Sequence, residues 1–307
     1  NEPTHNRYTL APLVAAAIRA ADPTRPVKEA SDFREHAYPG WYWGHMRDFQ
    51  ALPGAPLPSE FGAQALPRAE LLRRVLGPDA WPPKWETWVY HNFQPEQTFR
   101  VAGVEMGERL EAFVENSQRY QARLIEFAIH TYRRAKGQIT GYFHFMFVEP
   151  WEGITWAVLD VERVPKQGYF ALQQASSPVL VSIVPYVERA GVGQPPLREV
   201  WVISDLDRPL SLRVSLRLEG PMAFPLGEMT VTLAPHEVRR VFEVMELFEA
   251  PLDQREALDT ASALLRQLPP GRYSVIAEAW EGEHLWSRHV VEMEYLEPIG
   301  PQEEGFW

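Results

Sequence analysis

Apolar residues recur at helical spacing in three stretches of the first half of the chain. The first is the Ala-rich run over residues 10–21, and Pro23 follows it closely, where a helix cannot continue. The second, over residues 66–76, places its leucines and its valine on one face. The third and longest covers residues 107–136 and meets Gly137, a residue typical of helix ends. The pattern therefore predicts three helices.

Strand-like runs alternate with these helices. Residues 27–30 form a short β-type run, and residues 139–148, I-T-G-Y-F-H-F-M-F-V, are apolar and aromatic throughout. A run of this kind is typical of a strand buried on both faces in a parallel sheet. Alternating strands and helices favour an α/β barrel. A whole (β/α)₈ barrel takes about 250 residues, so this part of the chain is predicted to form only half of one.

The pattern changes after Lys166, where short β-type runs alternate with turn sequences such as Asp205–Pro209 and Pro269–Gly271. The runs cover residues 179–186, 199–204, 210–218, 228–233, 238–244, 273–280 and 286–295. Strands at this spacing predict an immunoglobulin-like β-sandwich. A helical insertion is predicted over residues 254–268, and residues 301–305 form a polar tail. We place the domain boundary near residues 173–178, which gives a barrel domain over residues 1–174 and a sandwich domain over residues 175–307.

The amino-acid composition excludes several classes of binding partner and of site. The 307 residues are 45% hydrophobic and 23% charged, as in globular proteins, and the net charge is −11. This surplus of negative charge argues against a nucleic-acid or membrane partner. The chain has no cysteine, which excludes disulfides and thiolate metal sites and fits a reducing cytoplasm. No apolar run reaches membrane-spanning length, and we predict a cytoplasmic protein.

Aromatic side chains are the clearest chemical signal in the composition. The chain contains 11 tryptophans, and several occur in loop-like sequence: Trp41, Trp43, Trp81, Trp85, Trp88 and Trp151. One interpretation is a large aromatic core. The other is a carbohydrate ligand, because flat aromatic faces pack well against the apolar C–H faces of sugar rings.

The nine residues S-E-F-G-A-Q-A-L-P, from Ser59 to Pro67, are the most informative stretch of the chain. They set a carboxylate, Glu60, beside a turn glycine, Gly62, which is how a barrel strand ends when it presents an acid. The stretch resembles the nucleophile segment of glycoside hydrolase family 2, the clan-A retaining β-glycosidases. The resemblance is to the β-mannosidase-like branch, although Ala65 stands where that branch usually has serine.

The resemblance implies a pair of carboxylates with different roles. Retaining glycosidases need two such groups about 5–5.5 Å apart. In the family, the acid/base follows an asparagine at the end of barrel strand four and the nucleophile ends strand seven. Glu60 is thus the implied nucleophile, Glu2 the implied acid/base, and Asn1 the implied donor to the sugar 2-hydroxyl. The alternative for Glu2 is an ordinary residue at a mobile terminus.

Further segments resemble sugar-binding parts of the same family. The sequence H-A-Y-P-G-W, residues 36–41, is similar to a loop that lines the sugar subsite, which implies substrate contacts for His36, Tyr38 and Trp41. The alternative is an aromatic staple between loop and barrel. Residues 81–92 resemble the W-P-P and W-x-Y-H loop of β-mannosidase-like members. This loop and the segment after the nucleophile imply substrate contacts for Trp88 and Gln64.

The segment over residues 141–156 departs from the family pattern. Phe145 to Glu149 stand where Trp-Gln-Leu-Asn-Asp is usual, while Trp151 and Trp156 are kept. The family then implies substrate contacts for Glu149 and Trp151 but leaves the sugar less certain than the reaction. His144, on the same segment, has two interpretations: a ligand contact, or a barrel histidine with its hydrogen bonds satisfied.

The resulting prediction is a retaining exo-β-glycosidase that acts on a terminal β-mannoside, with β-galactoside or β-glucuronide next. No cofactor and no metal are expected, since the spacing of His36, His45 and the nearby aspartates matches no metal site. The partners expected are a carbohydrate substrate and missing N-terminal sugar-binding and barrel segments, on the same chain or a companion chain. The alternatives are a non-catalytic carbohydrate-binding or structural module, or an inactive fragment of a longer glycosidase.

Overall fold

The structure is a computed structural model that describes residues 6–31, 34–51, 54–185, 189–190, 197–243 and 268–296. The chain divides into two compact units, Asn1–Ala175 and Ser176–Trp307. The predicted helical insertion before Leu268 and the polar tail lie outside the described residues.

The described part of the first unit contains five α-helices: α1 Leu10–Ala21, α2 Ala69–Leu76, α3 Trp85–Tyr90, α4 Leu110–Arg134 and α5 Gln167–Ala175. Short 3₁₀ turns lie at Met46–Ala51 and Gly77–Ala80, and a π-turn lies at Gln97–Val101. The three predicted helices are confirmed as α1, α2 and α4. Helices α3 and α5 were not predicted: α3 has only 6 residues and lies in a Pro- and Trp-rich sequence, and α5 buries only Gly168 and Ala175, so it shows no apolar stripe. No described helix is long and apolar enough to cross a membrane.

The prediction of a strand over residues 139–148 is wrong. This segment forms only isolated bridges at Ile139 and Val148. Its amides donate to carbonyls of the segment before Gly62 at irregular intervals: Thr140 to Pro56, Phe143 to Pro58 and Phe145 to Phe61. Because a strand needs a continuous ladder, an apolar sequence alone does not make one.

The short predicted strand over residues 27–30 is also absent. The Val27 carbonyl instead accepts a hydrogen bond of 2.9 Å from the Arg19 guanidinium. Among the described residues of the first unit, parallel pairing occurs as isolated bridges, such as the one between His36 and Glu60. A half barrel is therefore not present there as a regular sheet.

Two aromatic clusters form most of the core of the first unit. One surrounds Phe61, which makes edge-to-face contacts with Phe49 and Tyr132 at centroid distances of 6.2 and 5.5 Å. The other surrounds Trp88, which stacks on Phe113 at 5.8 Å. The long helix α4 supplies buried residues to both clusters. The Glu60 segment therefore runs beside a rigid, aromatic interior.

In its described residues, the second unit is built from β-strands. They are β1 Val179–Pro185, β2 Arg189–Ala190, β3 Leu197–Ser204, β4 Leu210–Glu219, β5 Phe224–Leu233, β6 Val238–Glu243, β7 Gly271–Glu281 and β8 His284–Tyr295. The seven predicted strands are confirmed, and among the described residues of this unit the two-residue β2 is the one strand that was missed. One sheet has the order β1-β3-β6 and the other the order β2-β8-β7-β4-β5, with antiparallel pairs except for β2 and β8.

The core of the second unit lies between these two sheets. On β4 the leucines and the valine at alternate positions are buried, from Leu210 to Leu218, and the residues between them are more exposed. This alternation is what a half-buried antiparallel strand requires. One apolar cluster joins buried residues of both sheets.

Candidate functional site

The segment that carries Glu60 is fixed to the neighbouring segment by its backbone. The amides of Ser59 and Glu60 donate to the Glu35 carbonyl at 2.9 and 3.3 Å. The Glu60 carbonyl accepts from the Ala37 amide at 2.9 Å, beside the parallel bridge between His36 and Glu60. These bonds place Glu60 next to the loop that begins at His36.

Side chains of α4 hold the continuation of this segment. Gln121 donates its side-chain amide to the Ala63 carbonyl at 2.9 Å. The Ser117 hydroxyl accepts from the Leu66 amide at 3.0 Å, and Gln118 donates to the Leu66 carbonyl at 2.9 Å. These polar side chains bond the backbone groups that a neighbouring strand would bond in a sheet. The buried amide and carbonyl groups of this extended segment are therefore hydrogen-bonded although the segment pairs with no regular strand.

The Glu60 carboxylate is held by two side chains from the neighbouring loop. The Tyr38 hydroxyl donates to Oε2 at 3.0 Å, and His36 Nε2 lies 3.6 Å from Oε1. His36 Nε2 is also 3.1 Å from the Ser31 hydroxyl, which makes a short hydrogen bond with the Ser59 hydroxyl. The Glu60 side chain is 16% exposed. An oriented carboxylate with a small accessible surface is suited to nucleophilic or general-base chemistry.

Gln64 lies in the interior and fixes the loop that follows α3. Its side-chain amide donates to the Asn92 carbonyl at 2.8 Å, and its side-chain oxygen accepts from the Gln94 amide at 3.1 Å. Trp41 is also buried and donates from its indole to the Gln94 side chain at 3.1 Å. Both predicted substrate contacts therefore lie behind the surface, where they support the loops around Glu60.

Trp88 is placed in the core and has no exposed surface. Its indole donates to the Asp79 carbonyl at 3.0 Å, and its ring stacks on Phe113. Every face of the side chain is covered by protein, so Trp88 stabilises the fold from inside instead of presenting a ring to a ligand.

Trp151 belongs to an exposed aromatic group. Its side chain is 42% exposed, and its ring stacks on His91 at 5.5 Å with an interplanar angle of 12°. The exposed Tyr90 ring packs edge-to-face on Trp151 at a centroid distance of 6.5 Å, and His91 Nδ1 lies 2.6 Å from the Glu152 carbonyl oxygen. This is the predicted aromatic contact that has a surface available for a sugar.

Glu149 is buried and is linked to the segment after Glu60 through Thr155, whose backbone carbonyl accepts from the Ala65 amide. Its Oε2 accepts a short hydrogen bond from the Thr155 hydroxyl, and its Oε1 has no hydrogen-bond partner among the described residues. Burial raises the pKa of this carboxyl. Lys166 lies in the same region and donates to the Ala65 carbonyl. Sequence analysis missed Lys166, because one lysine after Pro165 carries no local signal of burial.

His144 lies against the residues that follow Glu60. Its ring makes an edge-to-face contact with Phe61 at 5.5 Å, and a Cβ at Gly62 would lie 3.2 Å from its Nε2. Burial lowers the pKa of His144 to about 3, so the ring is neutral near pH 7. Neither ring nitrogen has a hydrogen-bond partner among the described residues. The hydrogen bonds that the interpretation of His144 as a satisfied barrel histidine requires are thus not found among the described residues.

The structure thus brings Glu60, His36 and Tyr38 together and leaves Trp151 in a separate aromatic group. Asn1 and Glu2 lie outside the described residues. The described site consequently contains one of the two predicted catalytic carboxylates.

Comparison with curated proteins gives relatives of one kind. The chain is 26% identical over 199 residues to β-mannosidase B of Aspergillus niger, a match that covers 59% of this chain and 23% of that protein. It is 24% identical over 198 residues to β-mannosidase B of Emericella nidulans, with the same coverage. The chain spans about a quarter of the length of these curated relatives. No family model matches the chain.

Comparison with solved structures shows a shared fold. The crystal structure of β-D-mannosidase from Dictyoglomus thermophilum matches with a TM-score of 0.70 and 16% identity, over 94% of this chain and 34% of that chain. An exo-chitosanase of Amycolatopsis orientalis in complex with PNP-β-D-glucosamine matches with a TM-score of 0.59 and 14% identity, over 91% and 34% of the two chains. The named relatives are glycoside hydrolases, which supports a relationship of this chain to hydrolases of that kind.

Proposed function

We propose that this chain is the C-terminal part of a retaining exo-β-glycosidase of glycoside hydrolase family 2, with Glu60 as its nucleophile. The observation that carries the proposal is the Glu60 carboxylate, fixed by the Tyr38 hydroxyl at 3.0 Å with 16% of its side chain exposed. A nucleophile must be held close to its attacking geometry, and the bonded backbone of this segment provides that rigidity. The names of the curated relatives favour a β-mannoside as substrate, ahead of a β-galactoside or a β-glucuronide.

The proposed reaction has two steps. A Glu60 oxygen attacks the anomeric carbon while the bond to the leaving oxygen breaks, and Glu2 gives its proton to that oxygen. Glu2 then removes a proton from water, the water oxygen attacks the anomeric carbon, and the bond to Glu60 breaks. Asn1 donates to the 2-hydroxyl, a bond that strengthens in the transition state. His36 and Tyr38 orient the two Glu60 oxygens, and Trp151 offers an aromatic face to the sugar.

We propose that residues 1–174 form strands four to eight of a (β/α)₈ barrel with their helices. The parallel bridge between His36 and Glu60 supports this arrangement, because it sets two successive segments side by side. The bonds from Phe143 to Pro58 and from Phe145 to Phe61 add a third segment in the same order. Neighbouring segments in chain order are what a barrel requires.

For residues 175–307 we propose an immunoglobulin-like sandwich. The strand orders β1-β3-β6 and β8-β7-β4-β5 support it. If β1, β3 and β6 are the A, B and E strands, then β4, β7 and β8 take the places of C, F and G in the opposite sheet.

The proposed barrel half implies a further region that completes it, on the same chain or on a companion chain. Helix α1 supports this, since one of its faces carries exposed apolar side chains: Leu10, Leu13, Val14 and Ile18, exposed by 53%, 69%, 47% and 47%. Intact mass measurement of the native protein should show a polypeptide well above 35.3 kDa, or a second chain that copurifies with it. A stable, monodisperse native protein of 35.3 kDa would contradict this part of the proposal.

Covalent trapping tests the proposed reaction directly. The complete protein is incubated with an activated 2-deoxy-2-fluoro-β-mannoside, whose fluorine slows release of the glycosyl-enzyme. We expect peptide mass spectrometry to find the sugar on Glu60. An adduct on another carboxylate would remove Glu60 from its role. Binding of β-mannosides, β-galactosides and β-glucuronides without adduct or turnover would favour the non-catalytic carbohydrate-binding module.

A further inference from the structure

Lys166 is a buried lysine that the proposed reaction does not use. Its side chain is 1% exposed, although lysine is almost never fully buried unless it is paired. It stands directly before α5, and its amide donates to the Val158 carbonyl at 2.9 Å. Its Nζ donates to the Ala65 carbonyl at 2.7 Å, across 101 residues of sequence.

The two carboxylates that act on Lys166, those of Glu149 and Asp160, come from the stretch of chain just before it. Burial lowers the pKa of Lys166 to about 8, and the carboxylates of Glu149 and Asp160 act in the opposite direction. Asp160 is itself buried and paired with Arg68, and the field of Lys166 contributes to the low pKa of His144. Buried ion pairs contribute little to the free energy of folding, because their replacement by apolar residues of similar volume is often neutral or stabilising. The burial of Lys166 therefore points to a role in positioning the backbone that its ammonium contacts.

The peptide of Ala65 is held on both sides. Its amide donates to the Thr155 carbonyl at 3.1 Å, and its carbonyl accepts from Lys166. The Thr155 hydroxyl in turn donates to Glu149. The Ala65 peptide is therefore contacted by the Lys166 ammonium and by the Thr155 backbone carbonyl, and the Thr155 hydroxyl links that second contact to Glu149.

Ala65 lies five residues after Glu60, on the same extended segment. We propose that Lys166 is a positioning residue, whose buried ammonium sets the place of the Glu60 carboxylate by holding the Ala65 carbonyl. The role of Glu60 in this inference rests on the proposed function. A displacement of about 1 Å at a reacting group can lower a rate about 100-fold. Loss of the contact between Lys166 and the Ala65 carbonyl is therefore expected to lower kcat, although Lys166 does not touch Glu60.

The test replaces Lys166 with methionine in the complete protein, which removes the charge and keeps most of the volume. The matched control is Arg133→Met, because Arg133 is also a buried cation that donates to a backbone carbonyl, that of Ala175 at 2.6 Å. With an aryl β-mannoside, Lys166→Met is expected to lower kcat about 10–100-fold and to leave KM within about twofold, because Lys166 contacts no substrate. Arg133→Met should leave kcat within about twofold.

Hydrogen exchange gives a second readout that needs no activity. In Lys166→Met, the peptide covering residues 59–66 should exchange about 10-fold faster or more, since its local opening becomes easier. In Arg133→Met, that peptide should keep its wild-type rate. If Lys166→Met does not fold, Thr155→Val removes the hydroxyl that ties Thr155 to Glu149, which loosens the backbone carbonyl that accepts from the Ala65 amide and should raise exchange there to a smaller extent.

Each outcome decides one claim. Wild-type exchange over residues 59–66 in both Lys166→Met and Thr155→Val would overturn the positioning role. A wild-type kcat together with faster exchange would overturn its link to Glu60. If the wild-type protein hydrolyses no glycoside, the proposed function fails, and hydrogen exchange still decides whether Lys166 positions the segment.

Discussion

Replacing Glu60 with glutamine in the complete protein is expected to lower kcat for an aryl β-mannoside by about 1,000-fold or more. Glutamine keeps the shape of the side chain and can still accept the hydrogen bond from Tyr38, but its amide oxygen is a poor nucleophile. A loss of this size corresponds to about 4 kcal/mol of transition-state stabilisation. Steady-state kinetics over a range of substrate concentrations measures it, with a thermal melt to confirm folding.

Two variants make this result specific. Glu70→Gln removes an exposed carboxylate from α2 and should leave kcat within about twofold. Tyr38→Phe removes only the hydroxyl that donates to Glu60, a hydrogen bond to a charged group worth about 1.5–3 kcal/mol. Its kcat should fall about 10–100-fold. If Glu60→Gln keeps more than about a tenth of the wild-type kcat, Glu60 is not the nucleophile.

Replacing Trp88 with alanine is expected to lower the free energy of unfolding by about 3–5 kcal/mol. The side chain is fully buried, stacks on Phe113 at 5.8 Å and packs edge-to-face on Phe93 at 5.3 Å. Its removal leaves a cavity that such rigid neighbours cannot close, and it leaves the Asp79 carbonyl without its indole donor. Urea denaturation of the complete protein, followed by circular dichroism, measures the change.

Controls separate a core role from a ligand contact. Trp88→Phe keeps an aromatic ring and should cost less than half as much. Trp151→Ala removes a ring that is 42% exposed and should cost less than about 1 kcal/mol. If Trp88→Ala unfolds like the wild type and only raises KM, the original interpretation of Trp88 as a substrate contact is restored.

The sequence predicted correctly those helices and strands in which one face is buried, because their apolar residues then recur with the period of the element. In β4, apolar side chains alternate with polar ones from Leu210 to Leu218, and the structure buries the apolar set. In α4 the buried positions follow the helical period from Leu110 to Ile129. Local pattern is sufficient in such cases, because each element has one face against the core.

The pattern of apolar and polar residues gave wrong predictions where the conformation or burial of a residue depends on residues distant in sequence. Residues 139–148 are as apolar as a buried strand, but they form no ladder, because their amides meet the 56–61 segment at irregular intervals. The burial of Trp88 was likewise invisible, since a tryptophan in a Pro-rich loop has the same local sequence whether its ring faces water or Phe113. Both outcomes depend on what the rest of the chain places beside the residue.

The candidate site divides in the same way. The resemblance of the S-E-F-G-A-Q-A-L-P stretch to a nucleophile segment singled out Glu60, and the resemblance of the neighbouring loop to a sugar-binding loop singled out His36 and Tyr38, because both resemblances rest on residue types in a local order. Only the tertiary structure decided that Tyr38 donates to Glu60 and that Gln64 faces inward. It alone brought Lys166 to Ala65, since a contact across 101 residues arises from packing and leaves no trace in local sequence.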